Sequence, residues 1–312
     1  MTRESGDQVG LKIALLSRDN GVGLSLDAEL MTELFESAGH EVSFHDWEAK
    51  SMPRADVAFH LELVSRNLAQ HAEKNIAILN LEWYPTEWLK YLPAFDQIWA
   101  KSHYALRFCR NRGGKNVQLT GFLGVDLYDP TVKRQKRCMH LRGRSAMKGT
   151  EQVIEAWRRD PGLPPLTIIS KEDVHLPDGL DDRVTVVYSP SDEERNRLMN
   201  EAEIHICPSI AEGWGHYITE AMSVGATVVT TDASPMNEHI RPEWGYLLGV
   251  TGTRNHHQAV LTFTSADLIA KGVHRAVALG PERRRAVGQV ARTQFLKRNQ
   301  EFRDVALRLV ER

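Results

Sequence analysis

The stretch that most constrains this chain is 202–231, where two strand-like runs enclose a glycine turn and a helical pattern. Ala202-Glu203-Ile204-His205-Ile206-Cys207 is the first run, and Ala226-Thr227-Val228-Val229-Thr230-Thr231 is the second. Between them, Gly213-Trp214-Gly215 opens a helix whose apolar positions Ala221, Met222 and Val224 precede a terminating Gly225. Strand, short loop, helix and strand in immediate succession describe a unit of a parallel sheet with helices laid on its faces.

The same alternation runs through the chain. Leu11–Ser17 reads as a buried strand, 18–25 as a glycine-bearing loop and 26–37 as a helix that stops before Gly39. Strands follow from Glu41, at Asp56–Leu61, at Asn75–Asn80, at Gln97–Ala100 and at Val117–Thr120. Asp126-Leu127-Tyr128-Asp129-Pro130-Thr131 reads as a linker. A second series then begins with a strand at Cys138–Gly143, a helix at Thr150–Arg159 and strands at Leu166–Ser170 and Arg183–Tyr188. The last forty residues, rich in Arg and Ala, read as helices. The expected class is therefore α/β, with two Rossmann-like doubly wound domains. Their expected spans are residues 1–130 and 131–285, with 286–312 as a C-terminal helix.

Composition narrows the partners. With 312 residues, 42% hydrophobic, 26% charged and net charge −2, the chain suits a soluble globular protein of about two domains. Overall charge does not call for nucleic acid or membrane. No apolar run approaches the ~18 residues of a membrane span. The polar start, Met1-Thr2-Arg3-Glu4-Ser5-Gly6-Asp7, has no apolar signal region, and the expected location is cytoplasmic. Cys109, Cys138 and Cys207 fit no metal spacing and read as idle thiols in a reducing compartment. No metal is implied, since Asp-x-Asp, His-Glu-x-x-His and Cys-x-x-Cys are all missing. Charge is uneven, however: residues 101–148 hold twelve Lys/Arg against two Asp, a formal +10. Most such runs are solvated faces, but this one flanks the expected domain junction and suits an anionic ligand.

Two constellations carry chemistry. Glu212 lies in the loop before the helix of the first stretch, and Glu220 lies eight positions on. The helix start between them presents unpaired amides and the positive end of a dipole. Such a site can hold an anion, a polyol and a carboxylate together; the bland alternative is a capping Glu212 and a solvated Glu220. The loop His140-Leu141-Arg142-Gly143-Arg144-Ser145-Ala146-Met147-Lys148-Gly149-Thr150 brings two guanidiniums and an ammonium around glycines, a set suited to phosphate. Three further places are open. His60 ends a strand, where a ligand-facing histidine and a satisfied core histidine are equally in keeping. Glu82-Trp83-Tyr84 suits stacking on a sugar or base with Glu82 accepting a hydroxyl proton, or simple packing between domains. Asn20-Gly21-Val22-Gly23 is a glycine turn after the first strand; without a third glycine at Leu26 it argues against a nicotinamide dehydrogenase.

The segment from Pro208 to Val229 resembles the signature of the retaining GT-B glycosyltransferases of the glycosyl transferases group 1 type, which carry a Glu-x7-Glu motif. Here it reads P-S-I-A-E-G-W-G-H-Y-I-T-E-A-M-S-V-G-A-T-V-V. The resemblance implies a GT-B fold, two domains across a cleft, with the last helix returning to the N-terminal domain. It implies transfer of a sugar from a nucleotide-sugar, usually a UDP-sugar, with retention of configuration and no required cofactor or metal. By the same resemblance Arg144 and Lys148 grip the donor diphosphate, and the amides of Gly215, His216 and Tyr217 contact sugar or phosphate. Glu220 then takes the ribose hydroxyls and Glu212 lies near the donor sugar as nucleophile or electrostatic stabiliser. A family histidine near the position of His60 faces the donor sugar. Gly21, Gly23, Glu82 and Trp83 are the acceptor-side candidates, and Glu238 lies in a loop resembling one that carries a family Glu. The acceptor is not legible: a small molecule or glycan is the default, and a nucleic-acid base, such as a modified pyrimidine in DNA, is the alternative suggested by the basic segment. A non-hydrolysing nucleotide-sugar epimerase and an inactive sugar-nucleotide-binding module are the competing readings.

Overall fold

The computed structural model describes residues 10–21, 23–180 and 182–311. The polar start 1–7, read above as lacking a signal region, lies outside them, as does Val22 of the first glycine loop. The chain divides into two compact units. One runs to Leu123 and takes back the residues from Glu301 on; the other is Gly124–Gln300.

The first unit holds β1 (Lys12–Ser17), α1 (Gly23–Ser37), β2 (Glu41–Asp46), β3 (Ala55–Leu61), α2 (Arg66–Ala69), β4 (Ala72–Ile78), β5 (Gln97–Ala100), α3 (His103–Asn111) and β6 (Val117–Leu119). All five strand pairings are parallel, in the order β2-β1-β3-β4-β5-β6. The direction of winding reverses between β1 and β3. The central strands are apolar and buried, as a parallel sheet covered on both faces requires. An aromatic line stiffens one face: Phe35 stacks on Phe59 at 5.3 Å, and Phe59 meets Trp99 edge-on at 4.9 Å. The returning segment joins this core through Phe302, 5.2 Å from Phe122, and through Leu309, whose carbonyl accepts from Gln97 Nε2 at 3.3 Å. α1 starts at Gly23, three residues before the expected Leu26, and β4 ends at Ile78, which leaves Asn80 in a turn rather than a strand.

The second unit holds β7 (Gln135–Gly143), a 3-10 turn at Ala146–Lys148, α4 (Thr150–Arg159), β8 (Leu166–Ser170), β9 (Val184–Tyr188), α5 (Asp192–Glu201), β10 (Ala202–Cys207), α6 (His216–Ser223), β11 (Thr227–Thr231), α7 (Met236–His239) and β12 (Gly245–Leu248). A hairpin of β13 (Gly252–His256) and β14 (Ala259–Phe263), α8 (Ala266–Ala278) and α9 (Gly280–Val310) follow, α9 belonging to this unit as far as Gln300. Its parallel sheet has the order β12-β11-β10-β7-β8-β9, with the reversal between β7 and β10. One face packs Val153 and Trp157 of α4 with Ile269 and Val273 of α8; the other packs Ile218 and Met222 of α6 with Ala291 and Phe295 of α9. Local signals mark several helix starts. Ser191 accepts from the Glu194 amide at 3.1 Å before the acidic first turn of α5, and Ser265 accepts from Leu268 at 3.3 Å before α8.

Candidate functional site

The loops that follow β7 and β10 leave the carboxyl ends of adjacent strands at the point where the second sheet reverses. That is where open α/β sheets bind ligands. The two loops are sewn together: the Ile210 amide donates to Met147 O at 2.8 Å, and Gly149 lies against Pro208. Gly149 has φ +68, and a Cβ there would stand 2.4 Å from Pro208 O, so both the conformation and the close approach need glycine.

This junction brings Lys148 to Glu212. The ammonium donates to Glu212 Oε1 at 2.5 Å, with both side chains largely buried. Ser209 Oγ, fully buried, donates to the same oxygen. With its one proton so used, Ser209 accepts from the Tyr217 hydroxyl at 2.5 Å. The Lys148 ammonium also lies 3.8 Å from the centroid of the Tyr217 ring, a cation–π contact. Burial holds the Tyr217 phenol well above its ordinary pKa, so it remains a proton donor. Lys148, Glu212, Ser209 and Tyr217 thus form one closed polar cluster.

α6 begins beside it. Gly215 caps the helix in the left-handed region, φ +96, and its carbonyl takes the first intrahelical bonds from Ile218 at 2.9 Å and Thr219 at 3.2 Å. The amides of His216 and Tyr217 precede that first bond. Glu220 lies in the second turn of α6, buried. Burial raises the nearby Cys207 thiol; Lys148 opposes this, and the Glu212 and Glu220 carboxylates add to it. Arg142 donates to Ser170 Oγ at 3.1 Å, whereas Arg144 is exposed. Arg144, Lys148, Glu212, Gly215, His216, Tyr217 and Glu220 therefore all lie on the loops after β7 and β10 or on the first two turns of α6.

The sequence did not point to His239. It is buried, its Nε2–H donates to Trp214 O at 2.7 Å, and its ring stands edge-on to Trp214 at 4.3 Å. Arg298 of α9 donates to Glu238 O at 2.6 Å and to His239 Nδ1 at 3.4 Å. These contacts fix the Gly213–Gly215 turn from below. Glu238 accepts from Ser234 Oγ at the rim of α7. The backbone of Ile210 ties the hairpin to the site: Thr262 donates to its carbonyl from N at 2.8 Å and from Oγ1 at 3.1 Å.

The first-unit candidates are placed as follows. Gly21 (φ +62) donates to Ser25 Oγ at 2.8 Å and to Asp19 Oδ1 at 3.2 Å, and Gly23 starts α1. The Ser25 hydroxyl, which donates to Asp19 Oδ1 at 2.6 Å, and then the Gly21 amide hold the Asp19 carboxyl below its ordinary range. Glu82 is buried and Trp83 is 49% exposed. His60 lies inside β3 with no exposed surface. Its Nε2–H donates to Asn75 Oδ1 at 2.9 Å and its Nδ1 accepts from the Ser65 amide at 3.3 Å; burial takes its pKa down to about 4. Both ring nitrogens are thereby occupied, the arrangement of a satisfied core histidine. Several charges of the basic segment are likewise used internally: Lys101 with Asp27 at 2.6 Å, Arg137 with Glu201 at 3.7 Å and Lys148 with Glu212. Among the described residues no group of three or more His, Cys, Asp or Glu is arranged to hold a metal, and no helix is long and apolar enough to cross a membrane.

Comparison with known proteins fits this geometry. Residues 176–294 match the family model described as Glycosyl transferases group 1. A segment of 57 residues is 40% identical to a GDP-mannose:cellobiosyl-diphosphopolyprenol alpha-mannosyltransferase of Xanthomonas oryzae pv. oryzae, covering 18% of this chain and 15% of that protein's length. Over nearly the whole chain the fold is that of the sucrose-phosphate synthase from Thermosynechococcus elongatus, with TM-score 0.76, 16% identity and coverage of 96% and 98%. It is also that of Anabaena HepE, solved in complex with UDP and with UDP-glucose; the UDP complex gives TM-score 0.70, 14% identity and coverage of 96% and 100%. The chain has the α/β fold of the GT-B glycosyltransferases, and within that fold residues 176–294 are similar to the glycosyl transferases group 1 domain.

Proposed function

We propose that the protein transfers a sugar from a nucleotide-sugar to an acceptor hydroxyl or related nucleophile, with a UDP-sugar as the favoured donor and with retention at the anomeric carbon. The observation that carries this reading is the Lys148–Glu212 contact at 2.5 Å, placed at the reversal of the second sheet and beside the start of α6. A cation, a carboxylate and the amides that open α6, brought together by the fold, suit a sugar diphosphate.

In this reading Lys148 leaves Glu212 for the diphosphate and stabilises the charge that grows as the bond to the anomeric carbon breaks. Arg144, exposed on the same loop, supplies the second cation, and the amides of Gly215, His216 and Tyr217 contact sugar or phosphate. Glu212, released from Lys148 but still held by Ser209, stands near the donor sugar. Glu220 accepts hydrogen bonds from the ribose hydroxyls. The known UDP complexes on this fold favour UDP; the mannosyltransferase match makes GDP the competing base.

The test is to follow UDP release from UDP-glucose and GDP release from GDP-mannose, and to read the product anomer by NMR. Release of nucleotide with a product of retained configuration is expected. An inverted product removes the retaining mechanism. Conversion of donor to an epimer with no acceptor present replaces transfer by epimerisation.

A further inference from the structure

The first sheet has its own reversal, between β1 and β3, and its own polar cluster at the carboxyl ends of the strands there. Arg18 follows β1, Glu62 follows β3, Asn80 follows β4 and Lys101 follows β5. Glu62 is only 7% exposed and has φ +65, the left-handed region that a non-glycine residue rarely adopts. Its Oε2 accepts from Asn80 Nδ2 at 2.8 Å, and its Oε1 lies 3.9 Å from Arg18 Nη2. Asn80 is oriented in turn: Lys101 donates to its Oδ1 at 3.0 Å, while Lys101 is locked to Asp27 at 2.6 Å. The sequence gives no hint of this set, since Lys101 and its partner Asp27 alone are 74 positions apart.

A strained backbone and a buried carboxylate coincide at this place. A carboxylate can accept about four hydrogen bonds, and Glu62 receives one from Asn80 plus a looser contact from Arg18. Burial raises its pKa, against the opposing effects of Asn80, Lys101 and Arg18, as expected for a carboxylate short of donors. The cluster is otherwise balanced, with Arg18 and Lys101 against Asp27 and Glu62. A ligand that completes it therefore brings hydrogen-bond donors without net charge. The loop that starts at Asn80 also carries the half-exposed indole of Trp83, a surface on which a sugar ring stacks.

We propose that the carboxyl end of the first sheet binds a neutral, hydroxyl-rich ligand, with Glu62 as its principal acceptor and Arg18 as its donor. Asn80, Lys101 and Asp27 act as positioning residues that hold the carboxylate. As the place of the sugar acceptor, this assignment rests on the transfer reading above; as a binding site it stands on its own geometry.

The probe is methyl α-D-glucopyranoside, titrated onto the full chain and observed by saturation-transfer difference NMR. Saturable binding is expected, weakened at least tenfold by Glu62→Gln. Gln still accepts from Asn80 but loses the charge that draws hydroxyls. Arg18→Ala, at a mostly exposed side chain that the fold does not need, is expected to weaken binding severalfold. The proposal is overturned if the wild-type chain gives no saturable signal, if both variants bind within twofold of wild type, or if glucuronate binds more tightly than the neutral glycoside. UDP titrated in parallel separates the two readings. Glycoside binding that depends on Glu62, in a chain that binds no nucleotide, upholds this site and removes the transfer reading.

Discussion

Lys148 and Glu212, 64 positions apart in sequence, meet at 2.5 Å where the loops after β7 and β10 converge. The ammonium and the carboxylate pair with each other, so under the proposed function a diphosphate competes with Glu212 for Lys148. In the proposed transfer the pair acts as an exchange rather than a static bridge, with Ser209 holding Glu212 as Lys148 moves to the diphosphate.

Removing the cation tests this arrangement. Lys148→Ala leaves the Glu212 carboxylate with the Ser209 hydroxyl as its hydrogen-bond donor, in a largely buried position. A stability loss of about 1–3 kcal/mol is expected, measured by urea unfolding. The rate of nucleotide release is expected to fall by about 100-fold or more, the scale of losing one charge-stabilising group. Lys148→Arg restores charge without the compact ammonium over Tyr217 and recovers only part of the rate. Full activity in Lys148→Ala ends the assignment.

Tyr217 separates two contributions. Tyr217→Phe keeps the ring 3.8 Å from Lys148 and deletes the hydroxyl that Ser209 accepts from. The expected loss is about 1 kcal/mol of stability with a small effect on donor KM. Tyr217→Leu also removes the cation–π contact, and a further ~0.5–2 kcal/mol is expected to go with it. Equal effects from the two variants would show that the ring contributes nothing to holding Lys148.

What the sequence made legible follows from what each feature depends on. β8, Leu166-Thr167-Ile168-Ile169-Ser170, is rich in β-branched residues, mainly apolar and buried along its whole length, and it reads directly. The β13–β14 hairpin does not: its first strand, Gly252-Thr253-Arg254-Asn255-His256, is polar and mostly exposed and pairs only with its neighbour. α5, with the sequence DEERNRLMNE, has too few apolar positions to announce a face. At the site, Glu212, Glu220 and Lys148 are charged residues in loops or early helix turns after strands, a local signal. Ser209, Tyr217 and His239 matter through contacts that only the folded chain creates. His60 and Glu62 make the same point from the other side. A strand end draws attention to His60 alone, but β3 is covered on both faces, so His60 is consumed inside and the residue two positions on, Glu62, reaches the end of the sheet.

Gly149→Ala tests the contact between the two loops. A Cβ at this position meets Pro208 O at 2.4 Å and forces a non-glycine residue to φ +68. The strain costs about 1–2 kcal/mol and the overlap about 1–3 more. Because Lys148 is the preceding residue, donor KM is expected to rise together with the fall in the urea midpoint. Unchanged stability would mean that the loops part easily and that their junction is not a fixed element.

Glu220→Gln addresses the nucleoside side. The residue is buried in α6, where Gln has nearly the same volume, so the fold is expected to hold. Loss of a charged acceptor to ribose hydroxyls is expected to weaken UDP about tenfold or more by calorimetry, equivalent to ~1.5–3 kcal/mol. Unaltered UDP affinity would remove the ribose role and leave Glu220 as a packing residue.

The buried histidines set the acid limit of stability. His60, His140 and His205 are lowered to about 4 and His239 to about 3, in each case chiefly because burial disfavours the charged ring. Their bonds fix the neutral form: His140 Nδ1–H donates to Ile206 O and its Nε2 accepts from Thr150, both at 2.8 Å. The folded pKa lies below the unfolded value of about 6.5, so between the two the unfolded chain binds protons that the folded chain does not. Stability is therefore complete above about pH 6.5 and falls as pH drops toward 4. Each such group contributes a slope of ~1.4 kcal/mol per pH unit, and four together approach ~5 kcal/mol per unit. Against a typical total of about 5–15 kcal/mol, unfolding is expected near pH 5, before most carboxylates titrate. Urea midpoints from pH 8 to 4.5 measure this. A flat profile across pH 6.5–5 would mean that these rings are charged or solvated in the folded chain.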